Sequence, residues 1–319
     1  MIDIVSLGEL LVDFAPAGER TYQANAGGAP ANVLAAAARL GKKAACITMV
    51  GQDGFGDMLV KDLAAAGVDT SAIRRTKDAC TTLAFVSLDA QGDRSFTFVR
   101  RPGADMLLSV NDVDFSLIES AKIFGFGSVS MTDEPSRSAT LEAAKFAKEH
   151  GVTTAYDPNL RPLLWKNLEE AKKVMSEGLR YADIIKISEE ELEFLTGISD
   201  LESGSQKIME YGPKLVFITL GPKGCFFRCK AGIGRLPAYD TKVVDTTGSG
   251  DAFLGGVLTA ILDRGIERLD SFTLEEMNAV ADYGSRAGSL AASQKGGIPS
   301  MPDRAKMEEC GREIPKLAL

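Results

Sequence analysis

The sequence has little of several features that common classes of protein require. It contains one histidine, His150, and five cysteines among 319 residues. A serine–histidine hydrolase and a histidine-ligated zinc site are therefore disfavoured. The cysteines form no Cys-x-x-Cys pair, and Cys225 and Cys229 lie in an alternating strand pattern that is typical of ordinary buried thiols.

Clustered basic residues are also missing. The formal net charge is −8 at pH 7, and acidic residues are spread along the chain with no basic block. The electrostatics that hold a nucleic-acid backbone are therefore absent, and we expect no nucleic-acid partner. No signal-peptide pattern or long apolar run is present either, so we expect a cytoplasmic protein that does not engage a membrane.

Along the chain, strand-like and helix-like patterns of apolar residues alternate regularly. Hydrophobic residues make up 45% of the sequence, which is ample for a core. The alternation predicts an α/β fold with a mostly parallel sheet between helices. We predict strands over 2–7, 44–50, 122–126, 153–156, 182–187, 215–220 and 225–229, and helices over 31–40, 56–66, 136–150 and 274–292.

Two further alternating segments break this rhythm. Residues 82–89 and 94–100 are separated by the four residues 90–93, which predicts a hairpin rather than a β-α unit. Phe96, Phe98 and Arg100 share one face of its second strand because side chains alternate with a period of two.

The most informative stretch runs from Asp245 as Asp-Thr-Thr-Gly-Ser-Gly-Asp-Ala-Phe-Leu-Gly-Gly. We predict a short strand over 242–245 before it and an amphipathic helix over 249–263. The N–H groups of Gly248, Ser249 and Gly250 have no intrahelical partners, so this turn can receive an anion such as a transferring phosphoryl group. Asp251, in the first helical turn, would stay ionised there and could accept a proton.

Each of these features has an ordinary structural alternative. Acidic residues often cap helices, and glycines often allow close strand–helix packing. The combination of Gly-Ser-Gly, Asp251 and the small pair Gly255–Gly256 favours the catalytic interpretation. The stretch is not a P-loop, because it lacks Gly-Lys-Ser/Thr, and Phe253 stands where a dinucleotide fingerprint needs its third glycine.

This stretch resembles the C-terminal signature of the PfkB or ribokinase-like carbohydrate kinases, Asp-Thr-Thr-Gly-Ala/Ser-Gly-Asp. The N-terminal signature of the family is similar to Gly27-Gly28-Ala-Pro-Ala-Asn32. Leu34 departs from the usual small residue, which we expect to affect helix packing more than sugar binding. The resemblance extends from Gly8 to Pro302, and the fructokinase branch fits best.

The resemblance implies a ribokinase-like three-layer α/β/α fold with a mostly parallel sheet. It also implies one kinase domain, 1–319, with a small β-sheet lid formed by about 10–24 and 82–106, through which two copies could pair. The alternatives are that the aromatic side chains of the hairpin only pack in a domain or dimer contact, and that Asp13 only forms a turn. The residues implied to bind the sugar are Asp13, Gly27, Gly28, Asn32, Phe96, Phe98 and Arg100.

Two later motifs follow predicted strands, where ligands bind in parallel sheets. Asp157-Pro-Asn159-Leu-Arg161 is similar to the family's Asp-x-Asn-x-Arg, and the guanidinium of Arg161 can bridge phosphate and sugar oxygens. Lys186-Ile-Ser-Glu189 is similar to Asn-x-x-Glu, whose glutamate organises magnesium through water, with Lys186 replacing asparagine as in fructokinase-like sequences. For the neighbouring Glu190 and Glu191, an acid-rich helix start is a competing explanation.

The resemblance also implies the ligands and their sites. Asp251 is the general base, and Gly248, Ser249, Gly250 and Arg161 offset negative charge. The residues implied to bind ATP and Mg²⁺ are Asn159, Lys186, Glu189, Thr219, Gly221, Gly224 and Ser285. A K⁺ site, which rests on resemblance alone, is placed at Asp245, Thr247, Ala291, Gly296 and Ser300.

These observations together predict ATP-dependent phosphorylation of a primary hydroxyl on a small sugar, D-fructose at O6. Two alternatives stay open. The same chemistry could act on aminoimidazole riboside or 2-keto-3-deoxygluconate. In a different class, the chain could be a catalytically silent sugar or nucleotide sensor, against which the intact Gly-Ser-Gly-Asp argues.

Overall fold

The computed structural model describes residues 1–88 and 94–318, and its elements follow the predicted alternation. The strands are β1 (Ile2–Leu7), β2 (Leu11–Gly18), β3 (Thr21–Gly27), β4 (Ala44–Gly51), β5 (Val68–Asp69), β6 (Ile73–Thr76), β7 (Leu83–Leu88), β8 (Arg94–Val99), β9 (Ala121–Gly127), β10 (Thr153–Asp157), β11 (Ile184–Ser188), β12 (Leu215–Thr219), β13 (Cys225–Cys229) and β14 (Gly232–Leu236). The helices are α1 (Ala29–Arg39), α2 (Gly54–Ala65), α3 (Phe115–Glu119), α4 (Ser136–Glu149), α5 (Leu168–Leu179), α6 (Glu189–Thr196), α7 (Leu201–Met209), α8 (Ser249–Arg264), α9 (Leu274–Ala292) and α10 (Arg304–Glu313).

The large sheet has the order β14-β13-β12-β11-β10-β9-β1-β4-β5, with β6 also paired to β4. The seven strands at one side of this order, β5, β4, β1, β9, β10, β11 and β12, pair in parallel. β13 pairs antiparallel with β12, and the edge strand β14 pairs antiparallel with β13. Helices cover both faces of the sheet, as a parallel sheet requires. The side chains of α1, α2, α8, α9 and α10 pack on one face, and those of α3 to α7 pack on the other. The predicted three-layer α/β/α architecture is confirmed.

A second, smaller sheet has the order β3-β2-β7-β8. β2 pairs in parallel with β7 and antiparallel with β3, while β7 and β8 pair antiparallel as the hairpin prediction expects. The predicted turn at 90–93 lies outside the described residues. Arg100, just after β8, is buried and donates to Asp105, Thr132 and the carbonyl of Val129, which fixes this sheet to the body.

One predicted element is wrong. Residues 242–245 do not form a strand. The N–H groups of Val244 and Asp245 both donate to the carbonyl of Ala292 at the end of α9, so this backbone is satisfied by a helix terminus and not by a neighbouring strand. Val243 and Val244 are 63% and 46% exposed, so the apolar pair that suggested a strand has no core to enter.

None of the helices within residues 1–88 and 94–318 combines the length and apolar character needed to cross a membrane. The helix after the glycine-rich turn forms almost where the pattern places it, since α8 covers 249–264 against the predicted 249–263. α8 packs against α1 at very short range. A Cβ on Gly255 would lie 2.6 Å from the Cβ of Ala36 and 3.0 Å from the carbonyl oxygen of Val33.

We expect Gly255→Ala to destabilise the protein by about 1–3 kcal/mol, because the added methyl group forces α1 and α8 apart and this outweighs the ~1 kcal/mol gained in helix propensity. Gly54→Ala is the matched control, because Gly54 opens α2 and its Cβ would meet nothing within 4 Å. Urea denaturation of both variants measures the effect. A Gly255→Ala protein as stable as the control would show that the two helices are not in close contact.

Candidate active site

The N-termini of α1 and α8 meet in the centre of the molecule. Asn32, in the first turn of α1, donates from Nδ2 to Oδ2 of Asp251, in the first turn of α8, at 2.8 Å. Both side chains are buried, with 3% and 9% of their surface exposed. Two helix dipoles therefore place partial positive charge around one buried carboxylate.

The electrostatic surroundings of Asp251 adjust its proton affinity. Burial, followed by the charge of Asp157, raises the pKa of Asp251 to about 6, although Lys186, Asn32 and Arg161 act in the opposite direction. A carboxylate with this pKa is mostly ionised at pH 7 and is more basic than an ordinary aspartate. Asp251 can therefore accept a proton from a hydroxyl group.

A buried ion pair lies beside this carboxylate. Lys186, on β11, binds Asp157, at the end of β10, with 2.8 Å between Nζ and Oδ2. Burial lowers the pKa of Lys186, but Asp157, Glu191 and Asp251 outweigh it and the net shift is upward. The Nζ atom lies 3.0 Å from where a Cβ on Gly250 would stand, so a permanent positive charge faces the glycine turn.

A cavity of about 400 Å³ opens onto Asp251. Phe96 and Phe98 of the small sheet form one wall, with stacked rings 6.0 Å apart. Asp13 enters from β2, and a Cβ on Gly27 would lie 2.2 Å from its Oδ2, so only glycine there leaves room for this carboxylate. The polar and charged residues that line the cavity are Glu9, Asp13, Asn32, Asn159, Arg161, Lys186, Thr246, Thr247 and Asp251.

A second cavity, of about 410 Å³, lies on the other side of the glycine turn. Thr246 and Gly250 line both cavities, so the two spaces meet at this turn. The lining of the second cavity is mainly apolar, and Tyr239, Val243 and Leu317 contribute to it. Besides Gly250, the predicted site residues that line it are Thr219, Gly221, Gly224, Ser249 and Ser285.

Several buried polar atoms around the turn have no hydrogen-bond partner within the described residues. They are Oδ1 of Asn32, Oδ1 of Asp157 and Oγ of Ser249. Buried polar groups are normally paired, and the exceptions often mark places that bind a ligand, an ion or water. Their clustering here indicates that the turn between the cavities is a ligand site.

The structure does not bring every predicted site residue to these cavities. Arg100 is buried in protein contacts and lines neither of them. Glu189 is 43% exposed beside Lys223 and lines a separate surface pocket. Asn159 and Lys186, which the resemblance places at the nucleotide, line the first cavity instead.

The residues predicted to hold K⁺ lie on two chain segments, 245–247 and 291–300, that are in contact. The carboxylate of Asp245 accepts from the N–H groups of Thr247 and Gly296, at 2.9 and 3.0 Å, and so joins the two segments of the predicted site. Ser300 donates to the carbonyl of Gly297 in the second segment. Ala291 is buried near the end of α9.

Two buried glutamates, Glu9 and Glu191, were not among the predicted site residues. Glu9 follows β1, accepts from the N–H of Ala29 at 2.9 Å and lines the first cavity. Glu191 accepts from the N–H groups of Ser188 and Leu160 and lies in the field of Lys186. Both follow strand ends in the sequence, which is the signal that could have found them.

Comparison with known proteins agrees with this geometry. The model of the pfkB family of carbohydrate kinases matches residues 1–304. Fructokinase-2 of Solanum lycopersicum is 43% identical over 307 residues, covering 94% of this chain and 93% of its own. The fructokinase of Xylella fastidiosa with bound ATP superposes with a TM-score of 0.91 at 33% identity, covering 98% of both chains. The fructokinase of Vibrio cholerae O395 with fructose, ADP and a calcium ion gives 0.87 at 33%, covering 96% of this chain and 98% of its own.

The buried carboxylate of Glu9 makes a stability prediction. Burial raises its pKa from 4.5 to about 7. Between these values the folded state holds a proton that the unfolded state has lost, so the free energy of unfolding falls as pH rises through this interval. We expect Glu9→Gln to be more stable than the wild type by about 1–3 kcal/mol at pH 8, with no such gain at pH 4.

Urea denaturation at pH 4, 6 and 8 measures this difference. Glu149→Gln is the control, because Glu149 is exposed at the end of α4 and its substitution leaves the buried charge in place. Parallel pH dependence in the wild type and Glu9→Gln would contradict the prediction.

Proposed function

The chain belongs to the PfkB family of carbohydrate kinases, and from this premise we propose that it transfers the terminal phosphoryl group of ATP to O6 of D-fructose. The observation that carries the proposal is the position of Asp251, which is a buried, basic carboxylate in the first cavity, next to Gly250, which lines both cavities. The named relatives add the ligands, because one was solved with ATP and another with fructose and ADP.

The first cavity is the proposed sugar site. The carboxylate of Asp13 and the amides of Asn32 and Asn159 can pair with hydroxyl groups, and amides offer both donor and acceptor. The rings of Phe96 and Phe98 can cover the apolar face of the sugar and exclude water. The small sheet formed by β2, β3, β7 and β8 is thus the proposed lid of a single kinase domain. Arg100 holds the lid in place through Asp105 and does not touch the sugar.

The second cavity is the proposed ATP site. Thr219, Gly221, Gly224 and Ser285 line it, and the turn at Gly248–Gly250 takes the phosphates at its junction with the first cavity. When bound with the nucleotide, Mg²⁺ supplies positive charge to the phosphates. The described residues contain no group of three metal-ligating side chains, which fits an ion held mainly by phosphate and water oxygens. Glu189, which the resemblance links to magnesium through water, lines a separate surface pocket and neither of the two cavities.

In the proposed reaction, Asp251 takes the proton from the 6-hydroxyl, and a bond forms between O6 and the terminal phosphorus. The bond from that phosphorus to the bridging oxygen breaks, and ADP leaves. Lys186, Arg161 and the N–H groups of Gly248–Gly250 offset the negative charge that develops. The pairing of Lys186 with Asp157 holds the ammonium beside the turn.

Three further features belong to the proposal. K⁺ is a monovalent activator held by oxygens of the loops that Asp245 joins, 245–247 and 291–300. Two copies pair through the outer face of the lid, where Tyr22 and Val99 are 48% and 55% exposed. The protein acts in the cytoplasm.

We expect a coupled assay of ADP release, with Mg²⁺ and K⁺ present, to show the highest kcat/KM for fructose. The pocket reads individual hydroxyls, and a missing hydroxyl leaves protein groups unpaired at a cost of about 1–3 kcal/mol each. The panel contains fructose, glucose, ribose, aminoimidazole riboside and 2-keto-3-deoxygluconate. A higher value for another sugar would replace fructose as the substrate, and no turnover of any would favour a sensor.

We expect Asp251→Asn to lower kcat by roughly 10²–10⁴-fold, because asparagine keeps the shape and the capping capacity but cannot take the proton. Fructose affinity, measured by calorimetry, and the melting temperature should change little. Asp270→Asn is the control, since Asp270 is an exposed carboxylate in a surface ion pair with Lys214. A variant with near wild-type kcat would remove Asp251 from the mechanism.

A further inference from the structure

The segment 314–318 lies beyond the residues that the family model matches, yet it forms part of the second cavity. Its residue Leu317 lines that cavity together with Val243 and Tyr239. We propose that Leu317 is a specificity residue for the nucleotide, and that its side chain packs against the purine base. The inference rests on the proposed function, because it takes the second cavity to be the ATP site.

The backbone of this segment is fixed to the cavity wall. The N–H of Leu317 donates to the carbonyl of Ala238, and the N–H of Asp240 donates to the carbonyl of Pro315, both at 2.9 Å. Between these bonds, Tyr239 and Lys316 form an antiparallel bridge. These bonds therefore hold the backbone of Leu317 in a defined position.

Side-chain contacts tie the same segment to α9. The Nζ of Lys316 lies 2.6 Å from Oδ1 of Asp282 and 5.5 Å from the ring centre of Tyr239. The hydroxyl of Tyr239 donates to the same carboxylate oxygen at 2.8 Å. Although burial acts to raise it, hydrogen bonds from Lys316 and Tyr239 hold the pKa of Asp282 below its usual value. The anchor is therefore charged at neutral pH.

The chemistry of the second cavity fits a purine base. Ser249 and Gly250 line the cavity where it meets the anion-binding turn, so the phosphates are drawn to that end. Val243 and Leu317 offer the same cavity apolar side chains, which can cover the part of the ligand that carries no phosphate, and Val243 is 63% exposed. A flat aromatic base covers such side chains favourably, whereas a sugar would leave its hydroxyls unpaired against them.

The test is kinetic and uses substitutions at Leu317 in the full chain. We expect Leu317→Asp to raise the KM for ATP and the Kd for ADP by roughly 10-fold or more, since it replaces an apolar contact with a charge. The KM for fructose and the kcat at saturating ATP should stay within about twofold, because the loss lies in uniform nucleotide binding. Leu317→Met keeps an apolar side chain of similar volume, so the KM for ATP and the Kd for ADP of this variant should stay close to wild type.

Leu168→Asp is the matched control, because Leu168 is a 51% exposed leucine at the start of α5 and lines neither cavity. If Leu317→Asp does not fold, Leu317→Ala decides, with an expected increase of roughly threefold or more in both constants. Unchanged nucleotide constants in a folded Leu317 variant, or equal losses for ATP and fructose, would overturn the inference. A wild-type protein that does not bind ADP would instead overturn the proposed function.

Discussion

The contact between Asn32 and Asp251 is the constraint on which the rest of the site depends. It requires the first turns of α1 and α8 to meet, and they meet because Gly255 lets α8 approach Ala36 on α1 without a side chain between them. At that distance the positive ends of both helices act on one carboxylate. The cavities then form on either side of this junction, and both reach the turn that begins α8.

The charges around this junction are balanced and not simply attractive. Burial and Asp157 raise the pKa of Asp251, and Lys186, Asn32 and Arg161 lower it. The net pKa of about 6 is above that of a surface aspartate but still below neutral pH. A stronger positive field would make the carboxylate a poor base, and a weaker one would leave it protonated at neutral pH. The ion pair of Lys186 with Asp157 contributes to both effects, because Lys186 places a cation beside the glycine turn while the charge of Asp157 raises the pKa of Asp251.

The parts of this arrangement that follow from local sequence could be predicted, and the parts that depend on tertiary contacts could not. The 3.6-residue period beyond Gly250 located α8 to within one residue at its end. A sequence pattern does not show what covers a segment, so Val243 and Val244 suggested a strand. In the structure the carbonyl of Ala292, at the end of α9, accepts the hydrogen bonds of this backbone instead. In the acidic run that opens α6, three consecutive glutamates look alike in sequence. Helix geometry leaves Glu189 exposed beside Lys223 and buries Glu191, whose charge raises the pKa of Lys186.

The division of the site into two cavities also bears on how a kinase of this geometry avoids transferring phosphate to water. Asp251 lines only the first cavity, so a phosphoryl group bound from the second meets the base only across the turn that both share at Thr246 and Gly250. Water in the first cavity would be a competing acceptor unless the sugar fills it. Phe96 and Phe98 form a wall of that cavity, on a sheet that Arg100 and Asp105 hold to the body. With the first cavity as the proposed sugar site, sugar binding and water exclusion depend on the same wall, which would couple phosphoryl transfer to occupation of that site.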